Sequence, residues 1–344
     1  MTDTLGFLDA VCGLPEQLTT AHELAGAIDP ATFPRADAID HVVVAGMGGS
    51  GISGAVLAAV ATDCPVPIVT LQRYRVPAFV GPRTLFVALS YSGDTEETIA
   101  MATEAVARGA RIVAVSVGGA LESLARDAGG IHVPCPPGLL PRAALGALVG
   151  PLFVTMFRTG LLPEAHQLLL DAQDQLARRR DKCEPSVEGA ANVARELARK
   201  IDRTFPLIYG GGALGAVAAY RWKCDVNENA KAPAFWHSYP ELDHNEICGW
   251  GQHGDVTRQL ITLVELRHSF EHPQIARRFD ATRDIIDETL HQVLSLEAEG
   301  DGRLAQVLDL MYVGDFASTY LALDNDVDPG PIDAIFDLKA RLAE

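Results

Sequence analysis

Short β-branched apolar runs alternate with longer stretches of helical periodicity through the first half of the chain. Residues 42–45, 68–71, 85–89, 112–116 and 131–133 read as buried strands, and residues 51–61 and 96–108 as helices between them. Such repetition predicts an α/β fold with a doubly wound parallel sheet. A helical segment at 168–180, Cys183-Glu184-Pro185 and a further amphipathic helix come next, and then the pattern begins again. Phe205-Pro206-Leu207-Ile208-Tyr209 enters Gly210-Gly211-Gly212-Ala213-Leu214-Gly215, as Val42-Val43-Val44-Ala45 enters Gly46-Met47-Gly48-Gly49-Ser50-Gly51. Strand-like 261–266 and 292–296 flank a helical 274–284, and helices follow near 304–321 and 331–343. Two related domains are expected, over 1–160 and 190–344, joined by a helical connection at 161–189. Ligands of open parallel sheets sit beyond the carboxyl ends of the strands, so the glycine turns of both halves are expected on the functional side, with the site between the domains.

The first half carries a second polar turn after an apolar run, where Leu85-Phe86-Val87-Ala88-Leu89 enters Ser90-Tyr91-Ser92-Gly93-Asp94-Thr95. Glycines and hydroxyls at two helix starts can converge on one anion. Neither turn has the Gly-Lys-Ser/Thr tripeptide that reaches the outer phosphates and magnesium of a nucleoside triphosphate. A neutral cradle suits a small phosphate monoester that reacts elsewhere on the molecule. Gly46-x-Gly48-x-x-Gly51 also fits the dinucleotide fingerprint, but the acidic residue expected about 20 positions on is missing. The second strand ends Leu71-Gln72-Arg73, and Arg73 would admit only a 2′-phosphate. The plain alternative is that these glycines serve only a tight strand-to-helix turn; Ser90, Ser92 and Thr95 argue for the anion.

Composition narrows the partners. Among 344 residues, 45 acidic against 28 basic give a formal charge of -17, which argues against a nucleic-acid surface. Cys12, Cys64, Cys135, Cys183, Cys224 and Cys248 are scattered without a Cys-x-x-Cys pair, as reduced thiols of a cytoplasmic protein would be. Met1-Thr2-Asp3-Thr4 has no basic signal region, and the longest uncharged apolar stretch, 143–157, is interrupted by Pro151 and falls short of the ~20 residues of a membrane span. No signal and no membrane helix are expected.

Four residues are candidates for chemistry. In the terminal helix the apolar stripe Ile332, Ile335, Leu338 and Leu342 includes Lys339, away from the face of Asp333, Asp337, Arg341 and Glu344. Lys339 is then either a site lysine or a snorkelling stem beside the core. Glu228, in Asn227-Glu228-Asn229-Ala230-Lys231, falls at the end of the helix that begins near Ala213 and is stopped before Pro233. A carboxylate there opposes the helix dipole, which raises its proton affinity toward that of a general base; the alternative is an exposed surface charge. His244 lies in the polar loop Pro240-Glu241-Leu242-Asp243-His244-Asn245-Glu246, either tuned near neutral pH or an ordinary loop histidine. His237, Glu241 and Glu246 are close in sequence, yet no His-Glu-x-x-His spacing marks a metal site. Arg142 follows the proline-rich loop 134–141, as a fixed cation for a developing oxyanion or as a solvated loop charge.

Gly46-Met47-Gly48-Gly49-Ser50-Gly51 with Ser90-Tyr91-Ser92-Gly93-Asp94-Thr95-Glu96-Glu97-Thr98 resembles the sugar isomerase (SIS) domain, whose fold binds phosphosugars with these turns. Pro141-Arg142-Ala143, Asn227-Glu228-Asn229-Ala230-Lys231, His244-Asn245-Glu246-Ile247 and Ile335-Phe336-Asp337-Leu338-Lys339 resemble the bifunctional phosphoglucose/phosphomannose isomerases, in order and over essentially the whole chain. The resemblance implies two SIS-type domains and interconversion of glucose 6-phosphate or mannose 6-phosphate with fructose 6-phosphate, without metal or cofactor. It implies a phosphate held by Ser50, Ser90, Ser92 and Thr95 and the amides near Gly48 and Gly49. Glu228 would move the proton between C2 and C1 through a cis-enediol, Arg142 would stabilise the enediolate, and His244 with Lys339 would open the ring. In that family the histidine comes from the partner subunit, implying a homodimer. The competing expectation is a phosphosugar-binding regulatory protein that keeps the cradle without the chemistry.

Overall fold

The computed structural model describes residues 2–342, which form two compact units. One unit comprises Gly13–Ala177 with Gly300–Gln306; the other comprises the stretch ending at Cys12, Arg178–Glu299 and the chain from Val307 onward.

In the first unit five strands, β1 (His41–Ala45), β2 (Ile68–Leu71), β3 (Thr84–Leu89), β4 (Arg111–Ser116) and β5 (Ile131–Pro134), pair in parallel in the order β2-β1-β3-β4-β5. The continuous apolar runs of the inner strands β1, β3 and β4 result from burial on both faces. On one face Val43, Ala45, Phe86, Ala88, Ile112 and Ala114 pack against Met101, Ala102 and Ala105 of the helix Glu96–Ala107 and Leu121 and Ala125 of Gly119–Asp127. On the other the helix Gly48–Val60 contacts β1 and β2 and is backed by Leu145–Arg158, which in turn packs on Leu14–Gly26. The uncharged stretch around Pro151 is therefore a core helix, buried from Leu145 to Met156. Among the described residues no helix is long and apolar enough to cross a membrane.

The second unit repeats the plan with four parallel strands, β6 (Phe205–Gly211), β7 (Phe235–Tyr239), β8 (Ile261–Arg267) and β9 (Gln292–Glu297), in the order β7-β6-β8-β9. β6, β7, β8 and β9 take the places of β1, β2, β3 and β4. The edge strand β7 has no sequence signature, because Phe235 and Trp236 at its start both remain exposed and no alternation survives. The helix Gly212–Asn229 carries the chain from β6 to β7, and Trp222 within it donates from Nε1 to the Leu310 carbonyl at 2.7 Å in the helix Gly302–Asp324.

The terminal helix departs from expectation. It spans Asp333–Leu342, and the expected end at Ala343, with Glu344, lies outside the described residues. Its apolar stripe does not pack against a core: Ile335, Leu338 and Leu342 are 38%, 57% and 76% exposed, and Phe336 is 61% exposed. Lys339 is exposed with them, so the placement of this lysine beside the chain's own core is corrected. Helical spacing identifies a stripe but not what covers it.

Candidate active site

In the first unit the chain leaves β1 for β2 on one side and later enters β3 on the other, which makes the carboxyl ends of β1 and β3 a topological switch point. Two helices, Gly48–Val60 and Glu96–Ala107, begin there. Gly48 sits at φ +52°, and a Cβ on Gly46 would lie 2.9 Å from the Leu89 carbonyl oxygen and 3.0 Å from Ser50 Cβ. Glycine at position 46 is what lets the first turn close onto the end of β3. The helix begins at Gly48, so the first-turn amides belong to Gly48, Gly49 and Ser50, three residues ahead of the start expected from the sequence.

The second turn brings three hydroxyls together. Ser90 Oγ lies 2.8 Å from Thr95 Oγ1 and 3.5 Å from Ser92 Oγ, and it accepts from the Gly93 amide at 3.1 Å. Ser92 Oγ accepts from the Asp94 amide at 3.2 Å. Thr95 holds the N-cap position of its helix without capping it with its side chain, because its hydroxyl is turned to Ser90. Ser90 is buried, Thr95 half-buried and Ser92 exposed, so the group runs from floor to rim. It offers donors without a fixed positive charge, next to the partial positive ends of two helices.

Sequence reasoning overlooked Tyr91. Between the two serines its side chain points away from the hydroxyl group; its hydroxyl donates to the Pro136 carbonyl at 2.9 Å and accepts from the Leu139 amide at 2.8 Å. It pins the loop that leads into the turn Pro141–Ala143, and that turn packs on the helix Gly48–Val60. Arg142, half-buried in this turn, is thereby held beside the helix that starts the cradle.

The second unit carries the remaining candidates. Glu228 is half-buried in the last turn of the helix Gly212–Asn229. Its carbonyl accepts from Lys231 Nζ, which also reaches the Pro329 carbonyl at 3.3 Å. The 16-residue separation of Glu228 from Gly212 is about 24 Å along a helix. The second glycine turn and Glu228 therefore lie at opposite ends of that helix. His244 is exposed in the short 3-10 turn Glu241–His244. Its neighbours are tied down: Asp243 accepts from Arg278 at 2.7 Å and Thr282 at 2.9 Å, and Glu246 accepts from the Tyr209 hydroxyl. Lys339 is exposed on the terminal helix.

No group of three or more His, Cys, Asp or Glu among the described residues is arranged to hold a metal ion. Burial pushes the Cys135 thiol up to about 12 and those of Cys12, Cys183 and Cys224 up to about 11, which keeps these four protonated and poor nucleophiles at neutral pH.

Comparison with known proteins defines the class first. Residues 190–342 match the family described as the bacterial phospho-glucose isomerase C-terminal SIS domain. The C-terminal domain of glucosamine-fructose-6-phosphate aminotransferase from Francisella tularensis superimposes with a TM-score of 0.69 at 17% identity, over 94% of this chain and 98% of that one, which establishes a shared fold of two SIS-type parallel sheets. Closer in sequence, the bifunctional phosphoglucose/phosphomannose isomerase of Caldicellulosiruptor bescii is 36% identical over 98% of both chains. That of Thermoplasma acidophilum is 33% identical over 90% of this chain and 92% of its own. The chain belongs to the bifunctional phosphoglucose/phosphomannose isomerase family.

Proposed function

We propose that this chain catalyses the reversible interconversion of glucose 6-phosphate, mannose 6-phosphate or both with fructose 6-phosphate. The observation that carries the reading is the lysine-free cradle of Ser90, Ser92 and Thr95 hydroxyls at the switch point of the first sheet, in a chain related over nearly its whole length to enzymes named for these two activities. The substrate phosphate is bound by Ser50, Ser90, Ser92 and Thr95 and by the amides of Gly48 and Gly49. Once the ring is open, the C2 hydrogen lies next to the C1 carbonyl and can leave as a proton. Glu228 takes it while the C1 oxygen gains a proton, giving a cis-enediol; returning the proton to C1 as the C2 hydroxyl loses its own gives the ketose. Arg142 stabilises the negative charge that develops on oxygen. His244 and Lys339 carry the ring-opening proton transfers.

The acting form is a homodimer in a cytoplasmic setting, with His244 supplied by the partner subunit. Support comes from the exposure of His244 within its own chain, and from the apolar residues Ile335, Phe336, Leu338 and Leu342 that the chain leaves uncovered.

A coupled assay on both aldose phosphates tests the reaction. Glu228→Gln removes the base with little change of shape and is expected to lower kcat about 10²- to 10⁴-fold. Undiminished turnover in that variant refutes the assignment, and thermal stabilisation by fructose 6-phosphate without any turnover of wild type would move the protein to the regulatory class. Mixed dimers of Glu228→Gln with His244→Ala test the assembly. Each contains one intact site if the histidine crosses the interface and none if it does not, so recovery of activity that neither parent has is the expected result.

A further inference from the structure

Arg221, Asp225 and Glu228 succeed one another at spacings of four and three along the helix Gly212–Asn229, which puts them on one face. Arg221 and Asp225 are buried, and so is Asp315, which meets them from the helix Gly302–Asp324. Arg221 Nε lies 2.8 Å from Asp225 Oδ2, and its Nε and Nη2 donate to Asp315 Oδ1 at 3.1 and 2.8 Å. Two buried carboxyls therefore share one buried guanidinium, and Asp225 Oδ2 has no hydrogen-bond donor of good geometry among the described residues. With both carboxyls ionised the group would carry a net negative charge away from water, which a proton on one of them removes. Burial drives the Asp225 carboxyl well above the usual carboxylate range, and the charges of Asp315 opposite and Glu228 on the same helix add to that effect against the pull of Arg221. One guanidinium, one carboxylate and one carboxylic acid sum to zero, which is the arrangement a dry site favours.

The same two helices are tied again just beyond Glu228, where Asn229 donates to Ser318 Oγ at 2.9 Å and Ser318 donates to the Asp315 carbonyl at 3.1 Å. Glu228 thus sits between two buried ties, with its charge felt by Arg221, Asp225 and Cys224.

We propose that Arg221, Asp225 and Asp315 form a positioning cluster for Glu228, in which two carboxyls share one proton so that the cluster fixes the helix end while presenting no net charge to the base. The proposal rests on the reading of Glu228 as the proton carrier. It makes the cluster self-compensating: removing either carboxyl leaves the other to ionise against Arg221.

The test compares Asp225→Asn, Asp315→Asn and the double variant by the acid limb of the kcat pH profile. Each single variant is expected to lower kcat severalfold through a looser helix end and to leave the limb where it is. The double variant leaves Arg221 unbalanced, favours ionised Glu228 and moves the limb down by about one pH unit. A downward shift in either single variant shows that both carboxyls are ionised and overturns the proposal, as does a double variant with the wild-type limb. Infrared spectroscopy at neutral pH supplies a readout that needs neither activity nor the double variant. Wild type should show a protonated-carboxyl C=O band that both single variants lose, and its absence sinks the proposal. An enzyme inactive on both aldoses that keeps this band would instead refute the isomerase reading alone.

Discussion

The two units build the same strand, glycine turn and helix, and differ in what surrounds the turn. In the first, the turn after β1 stays open and faces the hydroxyls after β3. In the second, Gly212, which starts its helix at φ +59° as Gly48 does at +52°, is equally open, but Gly211 before it is closed in by Ile275, Phe279 and Glu271. Glu271 Cδ comes within 3.4 Å of where a Gly211 Cβ would sit, and the carboxylate accepts from Arg267 at 2.9 Å and from the His268 amide at 3.1 Å. His268 closes the turn further by donating from Nε2 to the Gly211 carbonyl at 2.9 Å. The second glycine turn thus has a side-chain carboxylate as neighbour where the first has hydroxyls. The proposed base, Glu228, lies at the far end of the helix that follows β6. A repeated fold therefore does not imply repeated surroundings: the segment after the third strand supplies hydroxyls in one unit and a carboxylate in the other.

The largest effect expected from breaking this comparison is on stability. Glu271→Ala leaves the guanidinium of Arg267 and the amide of His268 without their buried partner and should cost about 3–5 kcal/mol. Denaturant unfolding measures it. If the second nest is structural, the variant that remains folded keeps the wild-type KM for hexose phosphates, whereas a KM raised tenfold would mean that the two nests share a function.

The mirror experiment opens the first nest's floor. Ser90→Ala removes a hydroxyl from the proposed phosphate site, but the Gly93 amide it supports keeps its bond to the Ser90 carbonyl at 3.0 Å. Loss of a hydrogen bond to a charged group corresponds to about 1.5–3 kcal/mol, or roughly 10- to 150-fold in KM, with little change in unfolding midpoint. A variant that loses stability while binding substrate normally would place the hydroxyls on the structural side of the comparison.

Much of the fold is legible in the chain itself. The inner strands β1, β3 and β4 are written as nearly uninterrupted apolar runs because they are buried on both faces, and the two polar turns stand out because glycine and serine cluster where those runs stop. The edge strand β7 is invisible because Phe235 and Trp236 break the burial pattern. The surroundings of the second glycine turn are equally hidden: nothing in His268-Ser269-Phe270-Glu271 says that a carboxylate folds back beside a glycine about 60 residues earlier. The stripe around Lys339 is legible as a stripe, but a period of 3.6 carries no information on whether the surface it packs against belongs to the same chain. Likewise the cluster behind Glu228 depends on Asp315, about 90 residues away, so no local pattern announces it.

The smallest effect is also the most discriminating for the first unit. Tyr91 sits between two serines of the nest, yet its hydroxyl serves the loop that carries Arg142. Tyr91→Phe keeps the ring in the core and removes a donor to Pro136 and an acceptor for Leu139, at a cost of about 1 kcal/mol. Because the nest hydroxyls keep their own partners, phosphate affinity should hold; because the loop is freed, Arg142 should be less well placed for charge that develops only in the transition state. The expected result is a severalfold lower kcat with KM unchanged. A rise in KM at constant kcat would show instead that Tyr91 shapes the cradle itself, and the division of labour within Ser90-Tyr91-Ser92 would have to be redrawn.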